Sequence, residues 1–151
     1  AGVTAALINR YFGSKEALFG EVLDSSSGGH DLDTTFQTLM ADRNRFGEHL
    51  AQRILDHRED RTEFDPMLVL LRSVGQPSIE AVLRGRLALW FEPLAANIGG
   101  PEAQVRAEMI LAVLAGFDLF RNIIRSPALA SAAEDRVAGP LGAALQAVVD
   151  I

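Results

Sequence analysis

Apolar residues recur at helical spacing along almost the whole chain, and this periodicity constrains the fold more than any other feature. A clear example follows Ser78, and its apolar positions are Ile79, Val82, Leu83, Leu87, Trp90, Leu94 and Ile98. These positions fall on one side of an α-helix. No segment alternates strictly between apolar and polar residues for long enough to form a strand. The sequence therefore predicts an all-α fold.

Interruptions of this pattern divide the chain into helices. The expected helices cover Thr4 to Tyr11, Ser14 to Leu23, Phe36 to Met40, Phe46 to Leu55, Met67 to Leu71, Ser78 to Ile98, Pro101 to Ile124 and Val137 to Val148. Pro93 and the Gly139-Pro140 pair should bend the helices that contain them, because proline removes a backbone hydrogen bond. The stretch from Ser25 to Gly29 has the composition of a linker. We therefore expect one domain over residues 1–24 and a second over residues 30–151.

The charge balance limits how the protein can bind nucleic acid. Of its 151 residues, 14 are Lys or Arg and 20 are Asp or Glu, which gives a net charge of −6. Residues 1–23 carry two basic and two acidic side chains, so the whole excess lies in residues 24–151. An acidic chain does not bind DNA over its entire surface. Any DNA-binding surface must be local.

The residues that usually carry catalysis or bind metals are absent or badly spaced. The chain has no cysteine, which excludes disulfides, zinc fingers and thiol nucleophiles. His30, His49 and His57 show no metal-ligand spacing, and a solvated acidic loop explains the residues after His30 better than a cation site does. The serines lack a nucleophile elbow, and Gly13-Ser14-Lys15 lacks the rest of a phosphate-binding loop. We expect no enzyme, no metal and no cofactor.

No segment has the length or composition of a membrane span. The longest apolar run, from Met109 to Phe117, is far shorter than the roughly 18 residues that a span needs. No basic segment followed by an apolar one opens the chain. The sequence predicts a cytoplasmic protein.

Residues 1–19, with the sequence AGVTAALINRYFGSKEALF, closely resemble the second half of the helix-turn-helix of the tetracycline-repressor (TetR) family. The family pattern is roughly A-G-V-[ST]-x-x-x-[LI]-Y-x-[YH]-F-x-[SN]-K-x-x-L, and nearly every specified position matches. The resemblance implies that two further helices precede Ala1. It also implies that the acidic helical remainder is an antiparallel ligand-binding and dimerisation domain.

The same segment has the side chains expected of a helix in the major groove. Asn can bind adenine, Arg can bind guanine, and alanine methyl groups can contact thymine. By resemblance, Ala5, Ala6 and Arg10 contact the groove, and Tyr11 and Lys15 contact phosphates. Asn9 replaces the usual tyrosine, so it reads a base or binds a water there. The expected DNA-contacting residues are Thr4, Ala5, Ala6, Asn9, Arg10, Tyr11, Ser14 and Lys15.

Large apolar and amphipathic residues lie on the helices that surround an effector pocket in the resembled family. They are Phe46, His49, Leu50, Arg53, Met67, Leu71, Trp90, Phe91 and Phe117. A few polar groups among aromatic residues suit a small hydrophobic ligand. The alternative is that these residues form plain core.

The two C-terminal helices have more apolar surface than one domain of this size can bury, which favours a dimer about a two-fold axis. The expected interface residues are Met109, Val113, Gly116, Phe117, Phe120, Ile124, Leu141, Leu145 and Val148. Together with the resemblance, this pattern implies a homodimeric transcriptional repressor whose operator affinity depends on a small ligand. The alternative is an all-α ligand-binding or protein-interaction module that does not bind DNA.

Overall fold

The computed structural model describes residues 32–56 and 77–151, together with Ser14, Ala17 and Glu21. Every regular element in these residues is helical, which confirms the all-α fold. The elements are α1 (Leu32–Met40), a 3-10 turn (Arg43–Arg45), α2 (Phe46–Asp56), α3 (Pro77–Ile98), α4 (Ala103–Asp118), a π turn (Leu119–Ile123), α5 (Pro127–Ser131) and α6 (Glu134–Val149). No helix in the described part of the chain is long and apolar enough to cross a membrane.

The chain divides into two compact units. One comprises Ala1–His30 and Pro66–Leu89, and the other comprises Asp31–Asp65 and Trp90–Ile151. The predicted boundary between residues 24 and 30 stays a prediction. The expected helices over Thr4 to Tyr11 and Met67 to Leu71 lie outside the described residues.

Most helix boundaries follow the sequence signals. Ala17 and Glu21 are helical, and the Ala17 amide donates a 3.0 Å hydrogen bond to Ser14 Oγ, so Ser14 caps its helix as expected. Pro93 and Pro140 lie inside continuous helices. The helix expected to reach Ile124 is α-helical only to Asp118 and continues as the π turn.

The core of the second unit contains the apolar faces of α1, α2, α4 and α6 and the end of α3. Its buried members are Phe36, Leu39, Phe46, Leu50, Ala51, Leu94, Ile98, Ala107, Ile110, Leu141, Leu145, Val148 and Val149. Each large apolar side chain buried in this way contributes about 1.5–3 kcal/mol. This burial gives the short helices α1 and α2 a stability that helices of their length lack in isolation.

Two glycines allow α2 and α6 to cross at backbone contact distance. A Cβ added to Gly47 would lie 2.6 Å from the Gln146 amide nitrogen, and a Cβ added to Gly142 would lie 3.1 Å from the Cα of Glu48. The Gln146 side chain joins the same two helices, because its Oε1 accepts a 2.9 Å hydrogen bond from the Gly47 amide. The crossing fixes which face of α6 meets α2.

Two arginines join the end of α3, the start of α4 and the end of α6. Arg106 is only 6% exposed and donates to the carbonyls of Gly99, Pro101 and Val149. Arg43 donates to the Val149 carbonyl at 2.8 Å and to the Ile98 carbonyl at 2.8 Å. The carbonyl end of a helix carries partial negative charge, so these helix ends stabilise the two guanidinium groups.

Candidate functional site

Of the eight residues expected to contact DNA, the structure describes only Ser14. Its hydroxyl oxygen accepts the hydrogen bond of the Ala17 amide. The remaining residues of the motif lie outside the described residues, namely Thr4, Ala5, Ala6, Asn9, Arg10, Tyr11 and Lys15. Their DNA contacts stay predictions.

The residues expected to bind a ligand fall into two groups. Phe46 and Leu50 are buried members of the core, which fits the alternative interpretation for these two. The others that the structure describes are half-buried, and they are His49, Arg53, Trp90, Phe91 and Phe117. Met67 and Leu71 lie outside the described residues. A ligand site therefore stays a prediction, and the half-buried aromatic residues remain the candidates for its lining.

An exposed ion pair lies beside the first turn of α2. Arg45 donates to both carboxylate oxygens of Glu48, at 2.9 Å and 2.7 Å. The hydrogen bond from Arg45 holds the pKa of Glu48 below its ordinary value. Such exposed pairs contribute little to stability because water and salt screen them.

The residues expected at a dimer interface differ in exposure between α4 with its π turn and α6. Met109 (44% exposed), Phe120 (51%) and Ile124 (55%) lie on the surface, and Val113, Gly116 and Phe117 are half-buried. Leu141, Leu145 and Val148 lie in the core instead, so their expected exposure is wrong. The physical reason is the glycine crossing, which turns this face of α6 toward α2. The outward face of α6 carries the small residues Ala143 and Ala147.

One exposed apolar residue of α4, Val105, was not among the residues expected at the dimer interface. Val105 is 54% exposed. It precedes Met109 by four residues, so the helical spacing of the other surface residues pointed to it. With Met109, Ala112, Gly116, Phe120 and Ile124, it forms what we call the α4 stripe.

The π turn follows α4 and is built around Arg121. The Ile124 amide donates to the Leu119 carbonyl at 2.8 Å, which is the i to i+5 pattern of a π-helix. Arg121 is 6% exposed and donates to the carbonyls of Leu129 at 2.8 Å and Ala132 at 3.1 Å. Its guanidinium lies 5.8 Å from the ring centre of Phe117. Nothing in the sequence analysis singled out Arg121, although a charged residue inside an apolar run was its one visible signal.

The charged side chains do not form a metal site within the described residues. No group of three or more His, Asp or Glu side chains there is close enough to hold an ion. The candidate sites of this domain are therefore the half-buried aromatic residues and the exposed α4 stripe.

Comparisons with known proteins identify the class of this helical domain. Residues 44–149 match the family model of the tetracyclin repressor-like C-terminal domain. The chain therefore belongs to the TetR family of regulators. This match covers residues outside the 1–19 motif, so it confirms the family resemblance independently of that motif.

A solved structure shows the same fold. The chain is similar to a TetR-family regulator from Streptomyces coelicolor A3, with a TM-score of 0.55 and 24% sequence identity. The similarity covers 99% of this chain and 78% of that chain. No curated protein gives a significant match.

Proposed function

We propose that this protein is a cytoplasmic, homodimeric, DNA-binding transcriptional repressor whose operator affinity falls when a small hydrophobic ligand binds its C-terminal domain. The observation that carries the proposal is the family match over residues 44–149, together with the helix-turn-helix motif in residues 1–19. The proposal includes no catalytic step.

DNA binding rests on the motif and on the local charge. The basic residues of the motif are Arg10 and Lys15, and the acidic excess lies outside residues 1–23. The Ser14 cap supports a helix that starts directly after the recognition segment. A dimer presents two recognition helices, so it should select a duplex with two half-sites about one helical turn apart.

Ligand binding rests on the half-buried aromatic side chains. Trp90, Phe91 and Phe117 offer apolar area, and His49 and Arg53 supply polar groups on α2. A pocket with these properties takes a mostly apolar molecule that carries one or two polar atoms. The ligand acts by a population shift: if it binds better to the conformation with low operator affinity, it must weaken DNA binding by the same coupling free energy.

Self-association rests on the α4 stripe. Val105, Met109, Phe120 and Ile124 are four of the six large apolar side chains that are exposed among the described residues, and they follow one another along α4 and the π turn. A second copy of the chain is the occupant that the stripe fits best. Its small central residues, Ala112 and Gly116, allow two such helices to approach closely at the crossing.

The test is selection of operator DNA by the full-length gene product from a random duplex pool. We expect enrichment of a palindromic site, and we expect release of that site by at least one compound from a library of hydrophobic molecules. Enrichment of no sequence at low salt would contradict the DNA-binding function. It would leave the alternative, an all-α ligand-binding or protein-interaction module, which the acidic charge of residues 24–151 favours.

A further inference from the structure

We propose that the π turn held by Arg121 adjusts the helical register so that the α4 stripe matches a second copy of itself about a two-fold axis. This inference rests on the proposed dimer and specifies which residues meet in it. It follows from the order of residues along the stripe, from the exposure of its members, and from the contacts of Arg121.

The stripe has the same order of residue sizes from either end. Val105 and Ile124 are the β-branched outer residues, Met109 and Phe120 are the large inner residues, and the small residues Ala112 and Gly116 lie at the centre. A two-fold axis perpendicular to the helix reverses chain direction, so each residue meets its counterpart from the other end. Val105 would then pack against Ile124 of a second copy, and Met109 against Phe120.

The spacing of the stripe has one residue too many for a regular helix. A stripe that reads the same in both directions on an α-helix has steps of four, three, four, three and four residues. The observed steps, from Val105 to Ile124, are four, three, four, four and four. The longer step is the one from Gly116 to Phe120, which enters the π turn at Leu119, and a π turn accommodates one residue more than an α-helical turn does.

The exposure of Ile124 shows the effect of the extra residue. Ile124 follows Arg106 by 18 residues, which corresponds to about five turns of a regular α-helix. Without the π turn, Ile124 would therefore share the orientation of Arg106, which is 6% exposed. The π turn takes up one residue, so Ile124 is in effect 18 helical positions after Val105 and has the same orientation. The exposed fractions of the two side chains agree, at 55% for Ile124 and 54% for Val105.

Arg121 is the residue that holds the π turn. Its guanidinium is buried, lies over Phe117, and donates to the carbonyls of Leu129 and Ala132 at the end of α5. These bonds fix the backbone at residue 121 in the orientation that the π turn requires. Without them, the ordinary i to i+4 hydrogen bonds of an α-helix are the favoured alternative.

Cysteine labelling tests the register separately from the dimer. The chain has no cysteine, so Val105→Cys and Ile124→Cys each introduce a single thiol. Each is combined with Arg121→Met and labelled with a maleimide at nanomolar protein concentration. We expect equal labelling rates at the two positions when Arg121 is present. With Arg121→Met, we expect the rate at residue 124 to fall about tenfold and the rate at residue 105 to stay unchanged, because burial excludes the reagent. Unchanged labelling at residue 124 would overturn the proposal.

A double-mutant cycle tests the consequence for self-association. Val105→Ser and Ile124→Ser should each raise the dimer dissociation constant about tenfold, because each removes apolar surface that the proposed dimer buries. In the Arg121→Met background, Ile124→Ser should have almost no further effect, whereas Val105→Ser should keep its full effect. Equal effects of Ile124→Ser in both backgrounds would overturn the register proposal. If neither serine variant weakens self-association, the proposed dimer surface itself is wrong, even when labelling shows the register change.

A cooperative thermal melt is required of every variant in these experiments. If Arg121→Met does not melt cooperatively, Arg121→Gln replaces it, because glutamine keeps one amide donor but is too short to reach both carbonyls. The same two outcomes then apply.

Discussion

Gly47 of α2 and Gly142 of α6 lie at the crossing of the two helices, where the two backbones are in direct contact. A Cβ on Gly142 would lie 3.2 Å from the Gly47 carbonyl oxygen, and one on Gly47 would lie 2.6 Å from the Gln146 amide nitrogen. This contact positions α6 so that Leu145 is in the core and Ala143 faces outward.

Gly47→Ala should destabilise the protein by about 3 kcal/mol or more, because the atoms it meets are backbone and cannot rotate away. Gly142→Ala should destabilise the protein less than Gly47→Ala, since the atoms around its Cβ need to move by only a few tenths of an ångström. The matched control is Gly139→Ala on α6, where no atom of another helix lies within 4 Å of the added Cβ. This control should change the free energy of unfolding by less than about 1 kcal/mol, because the helix preference of alanine is opposed by the contact of its Cβ with the ring of Pro140. Urea unfolding measures all three, and similar values for Gly47→Ala and Gly139→Ala would contradict the contact.

Arg106→Met should destabilise the protein by about 2–4 kcal/mol, since it removes the Arg106 donor from the carbonyls of Gly99 and Pro101, and Val149 keeps only the hydrogen bond from Arg43. The control is Arg45→Ala, which removes an exposed ion pair and should leave the melting temperature unchanged. It should also raise the pKa of Glu48, because the hydrogen bond from Arg45 lowers that pKa. Thermal melts and an NMR titration of the Glu48 carboxyl group check these results. Equal melting temperatures for the two arginine variants would refute the role of Arg106.

Arg10→Ala in the full-length protein should relax sequence preference and cost about 1–3 kcal/mol of operator binding. Lys15→Ala should weaken binding to all duplexes and reduce the slope of log K against log salt by about one unit. Fluorescence anisotropy at several salt concentrations separates the two effects. Wild-type behaviour of both variants at matched salt would show that this helix does not contact DNA.

Binding of a hydrophobic ligand should change the fluorescence of Trp90, the one tryptophan of the chain, and raise the melting temperature. At a ligand concentration about 100 times Kd, the stabilisation is about 2.7 kcal/mol. Phe91→Leu should lower the affinity for a ligand found in this way without changing the fold of the free protein. Far-UV circular dichroism verifies the fold. A broad screen in which no compound shifts the melting temperature would count against the sensor role.

Phe120→Glu and Leu145→Glu should give different results, although both residues were expected at the same interface. Phe120 is exposed, so Phe120→Glu should give a folded monomer, because burying its carboxylate in a dimer is costly. Leu145 is fully buried, so Leu145→Glu should prevent cooperative folding. Light scattering and circular dichroism distinguish these outcomes. A folded Leu145→Glu monomer would contradict the position of α6, and a wild-type protein that is monomeric at micromolar concentration would contradict the dimer.

The sequence by itself determined the class of fold and the identity of most helices. Periodic apolar positions define α2, α3 and α6, and local signals such as the Ser14 hydroxyl act on neighbouring residues, so they are visible without tertiary information. The family resemblance was carried in the same way by a contiguous segment, residues 1–19.

The tertiary structure alone decided which apolar faces remain exposed. Leu141, Leu145 and Val148 look like interface residues in the sequence, because the hydrophobic effect has no direction and does not distinguish the chain's own core from a partner. Backbone contact at Gly47 and Gly142 resolves that ambiguity for α6, since a close approach of two helices depends on residues far apart in the chain. The π turn likewise depends on tertiary contacts, because Arg121 donates to the carbonyls of Leu129 and Ala132 at the end of α5. No local pattern around residue 121 indicates these contacts.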